Sequence, residues 1–168
     1  MILGAGAVGS VIGGRLSLAG HAVLLVNRNP ATGEHIRSSG LRLDLDDGSI
    51  VARPDTATPD QAQPAQVVIL LTKTYQSADA LRGVAHALEP GTTVLTLQNG
   101  LGNAAAIRDT LPGANVLQGV TMLPASLVAP GHVVCHGQHQ TWIGPLGSEP
   151  NDRCQRIAAD LSGAGIQT

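Results

Sequence analysis

Within its first nine residues the chain passes from an apolar triplet, Met1-Ile2-Leu3, into Gly4-Ala5-Gly6-Ala7-Val8-Gly9, and then into a segment of helical period. An apolar strand, a glycine turn and a helix in that order constrain the fold more than anything else in the sequence. Backbone N–H groups at such a helix start can face a pyrophosphate, and the helix dipole adds favourable charge. The spacing alone says little, because 21 glycines in 168 residues supply roughly 0.3 chance matches. Its position gives it weight; the competing reading is a tight turn that binds nothing. Only three residues precede Gly4, so the first strand is expected to be short, as if clipped at its start.

Further along, apolar runs bounded by Gly, Pro, Asn or Asp alternate with helical segments, the pattern of βαβ units around a mostly parallel sheet. Strands are predicted at Met1 to Leu3, Ala22 to Val26, Val67 to Leu71, Thr93 to Leu97 and Val116 to Val120. Helices are predicted at Ala7 to Ala19, Thr32 to Ser39, Ser77 to Leu88, Asn103 to Leu111 and over residues 152–162. Gly20 and Gly40 sit where helices stop, since glycine accepts the left-handed cap; Gly163 and Gly165 are expected to end the last helix. Residues 41–53 read as a hairpin turning at Asp46-Asp47-Gly48, which lacks the other ligand positions of a calcium loop. A second pair, His132 to Cys135 with Gln140 to Ile143, is expected to extend the sheet. The whole, residues 1–168, reads as one α/β domain of Rossmann type, a doubly wound, mostly parallel sheet with helices on both faces.

The balance of charge excludes some partners. A net charge of −2 with 1% aromatic residues supplies neither the basic surface nor the stacking side chains that nucleic acid requires. The uncharged stretch Met1 to Gly14 lacks a basic leader, meets Arg15 early and is too rich in glycine to span a membrane. Cys135 and Cys154 then read as reduced thiols of a cytoplasmic protein.

Four places carry candidate chemistry. After the second strand, where an acid would hold ribose hydroxyls, stands Val26-Asn27-Arg28-Asn29. Arg28 could hold a 2′-phosphate through its planar fork, which favours NADP (as NADPH); a solvated loop arginine is the alternative. Lys73, the sole lysine, ends the run Val67 to Thr72 at the edge where open α/β sheets bind ligands. It could meet cofactor phosphate, ribose or a substrate carboxylate, or be a surface residue. Asn99, in Leu97-Gln98-Asn99-Gly100-Leu101-Gly102, both donates and accepts, which suits a carboxamide or a substrate hydroxyl; Asn-Gly is also a common turn. Cys135, His136 and His139 invite a metal, but alternation puts the first two on opposite faces and no fourth ligand is evident, so no metal is assigned.

Together Gly4 to Ser10, Gly40-Leu41-Arg42-Leu43, Leu70-Leu71-Thr72-Lys73, Leu97 to Gly102 and Pro130-Gly131-His132-Val133 follow the order seen in ketopantoate reductases. Over nearly all its length the chain resembles the amino-terminal domain of that family. The resemblance implies reduction of the ketone of ketopantoate, a small 2-oxo acid, by NADPH in pantothenate biosynthesis. It implies that Gly4, Ala5, Gly6, Ala7, Val8 and Gly9 bind the pyrophosphate and Arg28 the 2′-phosphate. Lys73 and Asn99 would lie near the reacting end of the cofactor, Asn99 beside the substrate, with Ala125 a minor backbone contact. In the family a lysine of a helical second domain donates the proton, and that domain is expected to lie beyond residue 168. Two other readings stay open: a non-catalytic NADP-binding sensor or regulator, and a reductase of another small 2-oxo acid. Association into a homo-oligomer also stays open.

Overall fold

The computed structural model describes residues 1–137, 139–147 and 151–168. In chain order its strands are β1 (Ile2–Leu3), β2 (Leu24–Val26), β3 (Leu41–Leu45), β4 (Gly48–Ala52), β5 (Asp55–Ala57), β6 (Val67–Leu70), β7 (Thr93–Thr96), β8 (Asn115–Thr121), β9 (Ala125–Ala129), β10 (His132–Cys135) and β11 (Thr141–Pro145). Its α-helices are α1 (Ala7–Leu18), α2 (Pro30–Ser39), α3 (Ser77–Gly83), α4 (Asn103–Thr110) and α5 (Asp152–Gly163).

Seven strands form one sheet in the order β11-β8-β7-β6-β1-β2-β5, parallel throughout except for β11. The order reverses direction between β1 and β6, the kind of switch point outside whose carboxyl strand ends open α/β sheets bind ligands. Side-chain alternation divides the core between the two faces. Ile2, Leu25, Ile69, Leu95 and Leu117 pack with Val11 and Ile12 of α1 and Ile157 and Leu161 of α5. Leu3, Val26, Leu70, Val94 and Val116 pack with Leu81 of α3 and Ala104 and Ile107 of α4. This is the doubly wound α/β architecture of the Rossmann type.

A second sheet, ordered β4-β3-β10-β9, lies on the far side of α1. Two adjacent glycines let the helix fit between the layers. A β-carbon on Gly13 would lie 2.4 Å from Leu25 of the large sheet, and one on Gly14 would lie 2.8 Å from Leu43 of the small one. Apolar surroundings on both sides account for the buried run Gly9 to Gly14, a helix with no broad polar stripe. At its end the N–H of Gly20 donates to Ser17 and that of His21 to Leu16, with Gly20 at φ +91°, a paired closure that glycine alone enters without strain.

The structure departs from the expected pattern in several places. His132–Cys135 and the following strand do not pair with each other: β10 lies between β3 and β9, whereas β11 joins the large sheet beside β8. Burial explains the split, because Val133 and Cys135 need the α1 face, while Thr141 bonds Thr121 across the β8 edge, Oγ1 to Oγ1, at 2.8 Å. Two strands, β5 and β9, were not predicted. The helix expected from Ser77 to Leu88 ends at Gly83, and a 3₁₀ turn, Ala85–Ala87, follows. Helix α2 begins at Pro30, capped by Asn29 Oδ1 on the N–H of Ala31 at 3.0 Å, a start that proline favours. Gly163 lies within α5, and Gly165, at φ +78°, follows its end. Cys135 and Cys154 are free and buried, and burial pushes both thiols above their ordinary range. Among the described residues no helix is long and apolar enough to cross a membrane.

Candidate functional site

Parallel strands deliver their following loops to one edge, and the predicted residues follow from that rule. Gly4 succeeds β1, Arg28 follows β2 by two residues, Lys73 follows β6 by three, and Asn99 follows β7 by three. All stand at the carboxyl edge, around the reversal between β1 and β6.

The three glycines of the turn differ in what they permit. Gly4 has φ +103°, and a β-carbon there would lie 2.5 Å from the backbone nitrogen of Thr72, so it sets the closeness of the β1 and β6 ends. A β-carbon on Gly9 would meet the carbonyl oxygen of Gly4 at 2.4 Å, which fixes how closely α1 returns over its own strand. Gly6 is exposed, and nothing lies within 4 Å of where its β-carbon would be. That open backbone fits a phosphate group at close range. The first helical bond runs from Ser10 N–H to Gly6 at 2.9 Å, so the N–H groups of Ala7, Val8 and Gly9 precede the intrahelical ladder. No side chain caps this end and no acid occupies the first turn, an arrangement that suits an anion. Ala5 and Val8 of the turn pack against the α1 core, and so does Ala125 at the start of β9.

Arg28 and Lys73 are exposed, and neither forms an ion pair among the described residues. Two cations thus flank the helix start, a charge pattern suited to phosphates. Asn99 is exposed, and its backbone oxygen accepts from Thr74 Oγ1 at 3.5 Å and from Asn103 Nδ2 at 3.1 Å.

Two residues that the sequence did not single out as site residues shape this edge. Gln98 is buried and donates from Nε2 to the carbonyl oxygen of Thr72 at 2.7 Å and to Ser77 Oγ at 2.8 Å. Asn103 Nδ2 donates to the carbonyl oxygens of Gln98, Asn99 and Gly100 at 3.3, 3.1 and 3.1 Å. Gln98 belongs to the motif noted for Asn99, and Asn103 directly follows that motif; the signal was two amides bracketing a glycine-rich loop.

The remaining candidates fall elsewhere. His136 Nδ1 lies 3.2 Å from Asp46, and no group of three metal-binding side chains forms among the described residues. A cavity of about 820 Å³ opens at the opposite, amino edge, beside Met1, Asp55 and Val67, and none of the predicted site residues lines it.

Sheet order, switch point and glycine turn define an α/β domain of Rossmann type. A family model described as ketopantoate reductase PanE/ApbA matches residues 1–148. The chain belongs to the ketopantoate reductase family.

The 2-dehydropantoate 2-reductase of Halobacterium salinarum is 36% identical over 170 aligned residues, which span all of this chain and 56% of that protein. That of Pyrococcus abyssi is 33% identical over 99% of this chain and 54% of its own. Among solved structures, a putative 2-dehydropantoate 2-reductase from Enterococcus faecalis superposes with TM-score 0.90 at 29% identity, over 99% of this chain and 54% of that one. A D-mandelate dehydrogenase with NADH and anilino(oxo)acetate gives TM-score 0.91, also at 29% identity and the same coverage. The chain spans about half the length of these relatives.

Proposed function

We propose that this chain is the NADPH-binding part of an oxidoreductase that reduces ketopantoate to pantoate. The observation that carries the reading is the uncapped, acid-free start of α1 facing an open Gly6 backbone, flanked by Arg28 and Lys73. The N–H groups of Ala7, Val8 and Gly9 would hold the pyrophosphate and Arg28 the 2′-phosphate. Lys73 and Asn99 would orient the nicotinamide end, with Asn99 also offered to the substrate. When bound, the reduced nicotinamide supplies a hydride to the ketone carbon. The oxygen left behind needs a proton. We place the proton donor, and the other half of the substrate cleft, in the part of the relatives' length that this chain does not span. These 168 residues are then one cofactor-binding domain that turns over poorly by itself.

A second reading, a reductase of another small 2-oxo acid, is favoured by the D-mandelate dehydrogenase neighbour, whose bound anilino(oxo)acetate carries an oxo group beside a carboxylate. Titration of the chain with NADPH by cofactor fluorescence, beside a ketopantoate-dependent NADPH oxidation assay, tests the proposal. Saturable binding with negligible turnover is expected. Failure to bind, or turnover at an ordinary enzymatic rate of about 1–10³ s⁻¹, would contradict it.

A further inference from the structure

Few polar side chains in this molecule are as buried as Gln98, and a buried amide is costly unless both of its ends find partners. Here both do. Nε2 donates to the Thr72 carbonyl at 2.7 Å and to Ser77 Oγ at 2.8 Å, while Oε1 accepts from Thr96 Oγ1 at 3.2 Å. The Thr72 carbonyl can only accept, which fixes the amide's orientation.

What this side chain joins is specific. Gln98 directly precedes Asn99, and Thr72 directly precedes Lys73. One amide therefore spans the loops after β6 and β7 at the point where each sends a candidate cofactor-contacting residue outward. Thr72 also runs so close to Gly4 that a β-carbon on Gly4 would lie 2.5 Å from the Thr72 nitrogen. The glycine turn, the Lys73 loop and the Asn99 loop thus share one chain of contacts, Gly4 to Thr72 to Gln98. Asn103 completes the clamp from below by binding three successive carbonyls of the Asn99 loop.

We infer that Gln98 is a positioning residue: touching neither cofactor nor substrate, it sets Lys73 and Asn99 against each other and against the glycine turn. No other residue type of this size offers both the donor that the Thr72 carbonyl requires and an acceptor for the Thr96 hydroxyl. Glutamate lacks the donor, and methionine, of similar length, has no donor and only a weakly accepting sulfur. Because an exposed lysine on a long flexible stem contributes binding only where its loop is held, loosening the strut removes the benefit of Lys73 without removing Lys73.

The inference rests on the NADPH-binding reading above, and a double-mutant cycle separates the two. NADPH dissociation constants are measured by fluorescence titration for the wild-type chain, Lys73→Ala, Gln98→Met and the double variant, with circular dichroism confirming the fold of each. Lys73→Ala is expected to weaken binding about tenfold in the wild-type background and less than twofold in Gln98→Met. A full tenfold loss in both backgrounds would overturn the positioning role and leave the site reading intact. A wild-type chain that ignores NADPH, or a silent Lys73→Ala in the wild-type background, would overturn the site reading and the strut with it. If Gln98→Met does not fold, Ser77→Ala, which removes one arm of the strut, takes its place in the cycle. A partial collapse of the Lys73 effect supports the inference; an unchanged effect overturns it.

Discussion

Gly4 and Thr72, 68 positions apart in sequence, meet so closely that a β-carbon on Gly4 would stand 2.5 Å from the Thr72 nitrogen. Gly4 also has φ +103°, so substitution meets a backbone clash and a strained conformation together. Gly4→Ala is expected to cost roughly 2–4 kcal/mol of stability. Gly6→Ala should leave stability nearly unchanged, because its β-carbon has no neighbour within 4 Å, yet weaken NADPH binding by filling the place of a phosphate. Thermal unfolding and NADPH titration of both variants check this. Equal losses of stability would show that the two glycines share one role.

Helix α5 is capped by the residue just before it. Asn151 Oδ1 accepts from the N–H groups of both Arg153 and Cys154 at 3.1 Å, while its Nδ2 donates to Asn115 at 3.1 Å. Asn151→Ala is expected to cost about 1–2 kcal/mol, lowering Tm by roughly 2–8 °C in a chain of this size. An unchanged melting temperature would mean that water replaces the cap without loss.

Asp44 links the strands of the smaller sheet, and its partners make that sheet sensitive to acid. Arg42 Nε at 2.8 Å, Ser49 Oγ at 2.5 Å and His132 Nε2 at 2.7 Å all reach its carboxylate, and these hydrogen bonds, Arg42's first, hold its pKa well below the usual carboxylate range. The folded chain therefore binds fewer protons than the unfolded one as pH falls below about 4. The stabilising contribution is complete above that value and is lost progressively as pH drops toward the folded-state pKa. Denaturant midpoints of wild type and Asp44→Asn should differ by a constant amount near neutral pH and converge as the pH falls below about 4. A gap that persists undiminished into strong acid would contradict this account.

How much could be read in advance depended on how local each signal was. The glycine turn, the apolar runs and the helix-ending glycines are set by a few neighbouring residues, so α1, the 41–53 hairpin and the five parallel strands around the site were legible. Strand β5 was not, because Asp55–Ala57 has a strand's conformation only through its ladder with β2. Strand β9 carries largely exposed residues, so it has little burial pattern to read. The separate destinations of β10 and β11 are decided by partners far away in sequence, Leu43 for one and Gly119 for the other. The placement of Arg28, Lys73 and Asn99 in exposed loops after strands was legible. Gln98 and Asn103 were not, since their work is done on backbone carbonyls that only the folded loops bring within reach.

Arg28 is the side chain on which the choice between NADPH and NADH turns in the proposed site. It stands exposed two residues beyond β2, where a 2′-phosphate distinguishes NADPH from NADH. A charge-assisted pair of this kind contributes about 1.5–3 kcal/mol, or roughly a 10- to 150-fold preference. Titration of the wild-type chain and Arg28→Ala with both cofactors is the decisive measurement. Wild type is expected to bind NADPH more tightly by about that factor, and Arg28→Ala to lose the preference while its affinity for NADH is unchanged. Equal affinities in the wild-type chain, or a variant that loses both cofactors alike, would contradict it.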